Sequence, residues 1–230
     1  MTLYITALAL FVGTHFLMSH PLRARMVAGL GINGFSIVYS LVSLGTFGWA
    51  IMLFGDVTPG EPLWVSGDLS WWIATVLMLI GSILFAGSFA GNPAVPRPDA
   101  ALLAAGPARG VYAITRHPMM WGVATWGLVH IIASGQPRTI TLCIALIFLA
   151  LGGSAGQDKK KAVLMGDAWR DWASRTSFMP LARQFSGAAS WASAWPGRTA
   201  VLLGTLIWLG ASWAHPWFGG PVAGMFRWIG

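Results

Sequence analysis

Six apolar stretches, each near the length that crosses a bilayer and each free of aspartate and glutamate, decide what this chain can become. They lie near residues 3–19, 34–55, 70–91, 117–135, 139–156 and 199–217. A helix needs about 20 predominantly apolar residues to cross the hydrocarbon core. Inside lipid every backbone N–H and C=O must be satisfied by the protein, which leaves helices or closed barrels. Runs of this length without two-residue alternation specify helices. The expectation is an all-α polytopic transmembrane bundle of about six spans, one domain over residues 1–230. Only 9% of the residues are charged and 56% are hydrophobic, where soluble domains are about 25% charged.

The charges orient the bundle. Arg23 and Arg25 follow the first span, and no Lys or Arg precedes it. The loop between the second and third spans carries Asp56, Glu61 and Asp68, whereas the next carries Arg97, Arg109 and Arg116. Lys159, Lys160, Lys161 and several arginines follow the fifth span. Basic loops stay cytoplasmic, so the N-terminus is expected outside. The net charge of +7 is read as this bias, with the lipid bilayer as partner and no nucleic acid. Residues 159–176 read as an amphipathic cytoplasmic segment, with Met165, Trp169, Trp172 and Ala173 on one face. The lone Cys143 excludes an internal disulfide or a thiolate cluster, and reads as a small lipid-facing or packing residue.

Two of the five histidines, His15 and His130, lie inside spans. An ionisable side chain there marks a functional site by default. The plain alternative is an interhelical hydrogen bond, worth about 1 kcal/mol. His20, His117 and His215 each precede proline near a span end, where headgroups or water are within reach. Without carboxylates or thiolates in the spans, a hard cation or a zinc ion lacks donors. Haem brings four nitrogens and needs only axial ligands and an apolar slot. Met119, Val123, Trp126 and Gly127 share the helical face of His130, and Gly127 would let a flat macrocycle approach. Arg23, Arg25 and Arg116 are placed to pair with propionates. His15 and His130 differ by about 10 Å in depth at 1.5 Å rise per residue, so ligation by one or by two histidines stays open.

The stretches FVGTHFLMSHPLR, YSLVSLGTFGW and ITRHPMMWGVATWGLVHIIASG resemble the NnrU family of bacterial membrane proteins. That family is linked to nitrite and nitric oxide respiration and is similar to the 15-cis-zeta-carotene isomerases, which depend on haem b. The resemblance implies a multi-pass protein of the bacterial inner membrane with redox or isomerase-like chemistry. Its partners would be a hydrophobic polyene substrate or respiratory-chain proteins. It implies His130 and His15 as haem-iron ligands. Gly127 stands where the isomerases carry a cysteine used in a redox-linked ligand switch, so that switch is closed to this chain. A more distant resemblance links RHP and GDAWRDWASRTSFMP to isoprenylcysteine carboxyl methyltransferase-type enzymes. It implies S-adenosylmethionine bound by Arg116 and His117, with Gln157–Asp158 where those enzymes have glutamate. A non-enzymatic accessory role in denitrification is the third expectation.

Overall fold

The computed structural model describes residues 1–95 and 98–229, so Arg97 of the expected basic loop lies outside the described residues. All regular structure among them is helical. The helices are α1 (Thr2–Ser19), α2 (Arg23–Asp56), α3 (Asp68–Gly87), α4 (Ala100–Ala105), α5 (Val111–Ile114) and α6 (Pro118–Ser134). They continue as α7 (Pro137–Met165), α8 (Asp167–Arg175), α9 (Ala182–Phe185), α10 (Arg198–Ala214) and α11 (Phe226–Ile229). Each of the six expected apolar stretches is a helix. Four of these, α1, α2, α3 and α7, are long and apolar enough to cross a membrane. The other two, α6 and α10, have 17 residues each.

Proline starts α6 and α7, where a missing N–H costs nothing because the first turn has no partner for it. Gly135 ends α6 in the left-handed region that favours glycine. Two helices differ from expectation at their basic ends. α2 begins at Arg23 rather than near 34, and bends at Gly31, whose φ of 69° is outside the helical range. α7 continues through Gln157–Asp158 to Met165, because no glycine or proline interrupts it between Gln157 and Gly166. The expected amphipathic segment 159–176 is therefore two pieces. Lys159, Lys160 and Lys161 belong to the end of α7, and only α8 is a separate helix. The apolar face of α8 meets protein rather than lipid: Trp169 and Trp172 are buried beside Leu84, Ala104, Val111 and Tyr112.

The long helices pack in the order α10–α3–α6–α7–α1–α2. Gly122 sets the α3–α6 spacing, since a Cβ there would lie 2.8 Å from Gly81 O. α2 forms one edge and buries only Phe35 and Ala50, leaving Leu41, Leu44 and Met52 outward in the manner of a lipid-facing helix. One end of the bundle gathers Arg23, Arg116, Lys160, Lys161 and Arg198, and the other Asp56, Glu61 and Asp68. At the acidic end the loop before α3 folds over α6. Leu63 N donates to Gly135 O (2.9 Å) and Trp64 Nε1 to Ile132 O (3.1 Å).

Candidate functional site

At the basic end, residues 114–117 are strapped to 177–181. Arg116 N donates to Ser177 O (2.8 Å), Leu181 N to Ile114 O (2.9 Å) and Thr115 Oγ1 to Phe178 O (2.7 Å). This brings the RHP motif against the SFMP end of the second motif. The two polar side chains of RHP then converge on one carboxylate. Arg116 Nε lies 2.9 Å from Asp158 Oδ2, its Nη2 donates to the same oxygen, and His117 Nε2 lies 2.8 Å from Asp158 Oδ1. The His117 side chain is 2% exposed, and those of Arg116 and Asp158 are 15% and 19% exposed. Phe178 covers both side chains, with its ring 5.5 Å from that of His117 and 5.7 Å from the Arg116 guanidinium carbon. Such charge-assisted, partly bidentate bonds fix three side chains, one from α7 and two from the turn that leads into α6. Beside them Tyr112 Oη donates to Ser88 O (2.9 Å), and burial raises its phenol above the ordinary value of 10.0.

A different set of residues lines the large cavity, of about 710 Å³, between α1, α2, α6 and α7. That lies within the ~300–1,000 Å³ range of cofactor pockets. Its walls are apolar, with Phe16, Phe35, Met120, Val123, Leu146 and Leu149, and its basic end carries Arg23, Lys160 and Lys161. His15 faces this cavity. Its Nδ1 lies 2.9 Å from Phe11 O. A carbonyl only accepts, so Nδ1 is the protonated nitrogen and Nε2 of the neutral ring keeps its lone pair. Phe11 and Tyr39 hold the ring edge-on at 4.5 and 5.2 Å between centroids. His20, expected to be interfacial, also lines the cavity; its Nδ1 meets Ser19 Oγ at 2.7 Å and its buried Nε2 has no partner.

His130 is elsewhere. It sits four residues from the acidic end of α6, and His15 four residues from the basic end of α1. Its ring lies on Trp126 (4.1 Å between centroids), Nδ1 donates to Trp126 O (2.7 Å), and the nearest imidazole in ring contact is His215 at 5.9 Å. His130 and Trp126 do not line the cavity. Gly127 packs on α7: an added Cβ would lie 2.8 Å from Ile147 Cγ1 and 3.2 Å from Cys143 O. Space expected for a macrocycle is thus occupied by a helix. Of the seven residues singled out in the sequence, Arg116 and His117 share one cluster and His15 and Arg23 share the cavity. Trp126, Gly127 and His130 form a third neighbourhood.

Sequence reasoning passed over Tyr39, Lys160 and Lys161 as cavity residues. The Lys159–Lys160–Lys161 run was a signal, because a helix turns successive residues through about 100° and must aim part of such a run at its neighbours. Among the described residues no three His, Cys, Asp or Glu side chains gather to hold a metal ion.

Comparison with known proteins gives a match to the family model described as NnrU protein over residues 3–222. Two curated relatives are 15-cis-zeta-carotene isomerases of the chloroplast, from Zea mays and Arabidopsis thaliana. Each is 31% identical over 110 residues, which is 46% of this chain and 30% of the relative. The match therefore spans under a third of the length of either isomerase. No solved structure matches.

Proposed function

Because the chain belongs to the NnrU family, we propose that it is a haem b-binding protein of the bacterial inner membrane with isomerase-like chemistry on a hydrophobic polyene. The observation that carries this reading is the cavity. It offers the His15 imidazole with an available Nε2, a second ring at His20 whose Nε2 has no partner, apolar walls and a cationic end, which fit the donors a haem takes. His15 would ligate the iron. Arg23, Lys160 and Lys161 would hold the propionates, with Lys161 Nζ also 3.4 Å from Pro93 O. Bound haem supplies an iron able to exchange one electron, the chemistry by which a conjugated double bond loses its barrier to rotation. The chain's own part is to exclude water with Phe16, Phe35 and Leu146, and to fix the His15 ring through Phe11 and Tyr39. The names of the isomerase relatives supply the polyene, and the cavity opening among membrane-length helices suits a substrate dissolved in lipid.

Arg116 and His117, the residues of the S-adenosylmethionine reading, are both committed to Asp158 and absent from the cavity wall. That geometry disfavours the methyltransferase reading. The test is a reduced-minus-oxidised spectrum of the purified protein. A Soret band is expected, lost in His15→Ala and kept in His130→Ala. Removing Arg23 and Lys160 together should weaken haem retention in a salt-dependent way. Well-folded protein without a Soret band refutes the proposal. Haem without polyene turnover would leave electron exchange with respiratory-chain proteins as the use of the site.

A further inference from the structure

The other intramembrane histidine has its own partner. His130 lies four residues before the end of α6, and His215 follows the last residue of α10. Their ring centroids are 5.9 Å apart and their planes inclined by 42°. Each ring is tied by the same atom to the same kind of acceptor. His130 Nδ1 lies 2.7 Å from Trp126 O, and His215 Nδ1 lies 2.7 Å from Pro221 O. A carbonyl only accepts, so both Nδ1 atoms are donors and Nε2 is the nitrogen of each ring left to bind a metal. A ring N–H given to a backbone carbonyl is the usual support of a metal-binding histidine, because it fixes the tautomer and the ring's orientation. Trp126 braces the His130 ring from one side. Gly220 leaves room for the His215 ring, since a Cβ there would lie 2.3 Å from its Cε1 and Nδ1.

We propose that His130 and His215 form a two-histidine site for a late first-row transition-metal ion, copper foremost, separate from the His15 cavity. Imidazole nitrogen binds such ions at about 2.0–2.1 Å, which puts two rings sharing one ion about 5–6.5 Å apart between centres. The observed 5.9 Å falls inside that interval. Neutral nitrogen donors without a carboxylate disfavour calcium and magnesium, and imidazole affinity peaks at copper(II). Two protein ligands leave further coordination positions to water or a small molecule. The site lies at the acidic end of the bundle, the end opposite Arg23 and Lys160.

The test uses the full chain as purified, stripped with chelator and titrated with copper(II) against glycine as competitor. One equivalent per chain is expected, with hyperfine coupling to two nitrogens in the electron paramagnetic resonance spectrum. His130→Ala and His215→Ala should each weaken binding by more than about tenfold, with one nitrogen coupling lost. His15→Ala/His20→Ala should leave binding unchanged. Gly220→Ala, which keeps both imidazoles but crowds the His215 ring, should weaken binding too; His215→Gln checks that loss does not come from misfolding. Equal copper affinity in His215→Ala and the parent overturns the proposal. So does a Soret band that disappears in His215→Ala, which would assign the pair to haem. The measurement stands whether or not the protein carries haem, so its failure is distinct from failure of the haem reading.

Discussion

Replacing Asp158 by asparagine tests what the RHP motif is for. The substitution keeps the side chain's shape and removes its charge. Arg116, 15% exposed, then has no anion, and His117, 2% exposed, faces a neutral amide in place of the carboxylate 2.8 Å away. Removing one partner of a buried ion pair costs about 3–5 kcal/mol. The carboxylate is 19% exposed, so water relieves part of that; about 2–3 kcal/mol remains. A kcal/mol moves the melting temperature of a chain this size by roughly 2–4 °C, so Asp158→Asn should melt about 4–12 °C lower. Size-exclusion after heating in detergent measures it. A cycle with His117→Ala should show a coupling of at least about 0.5 kcal/mol, as for residues in one network. The Soret band of the proposed haem should not move, because none of the three residues lines the cavity. Unchanged melting together with lost S-adenosylmethionine binding would refute the reasoning and make Arg116 and His117 a cofactor site.

Two further changes read the packing. Gly127→Ala puts a methyl 2.8 Å from Ile147 Cγ1, and overpacking of that kind costs about 1–3 kcal/mol; lower melting with an unaltered haem spectrum is expected, and a shifted spectrum would place haem beside α6 at Gly127. Tyr112→Phe removes the bond to Ser88 O and should cost about 1 kcal/mol at neutral pH. The folded phenol titrates above its unfolded value, so its contribution is whole below about pH 10 and is lost as pH rises beyond that; the parent's melting temperature should therefore fall more steeply than the variant's between pH 10 and 11.5, measured in the same detergent.

The helices were legible because each apolar stretch is longer than any alternative can use in lipid, and because Pro118, Pro137 and Gly135 mark ends with backbone chemistry. Helix ends at the basic side were less so. Neither the early start of α2 at Arg23 nor the run of α7 through Lys161 leaves a periodic signal, since both segments leave the apolar zone while staying helical. Partners were the least legible. Trp169 and Trp172 show an amphipathic face, but nothing local says whether that face meets lipid or protein; Tyr112, Val111 and Leu84 decide it from elsewhere in the chain. Gly127 presents the same ambiguity. A glycine on the histidine face suits a cofactor and a close helix equally, and Ile147 on α7 settles which neighbour it has.

The histidines follow from the helix order α10–α3–α6–α7–α1–α2. α1 meets α2 and α7, α6 meets α3 and α7, and α7 stands between them. Helix α6 reaches the cavity through Met120 and Val123, near its basic end. At about 1.5 Å per residue, His130 is some 10 Å further along than Val123, at the end where α10 supplies His215. For His130 and His15 to ligate one iron, α6 would have to slide by about two turns, at 5.4 Å each, against α3, where Gly122 and Gly81 leave no slack. A close-packed helix pair resists such a slide because each ridge would lose its groove. Two histidines that composition alone invites one to pair are therefore held at separate depths by the packing of a third helix.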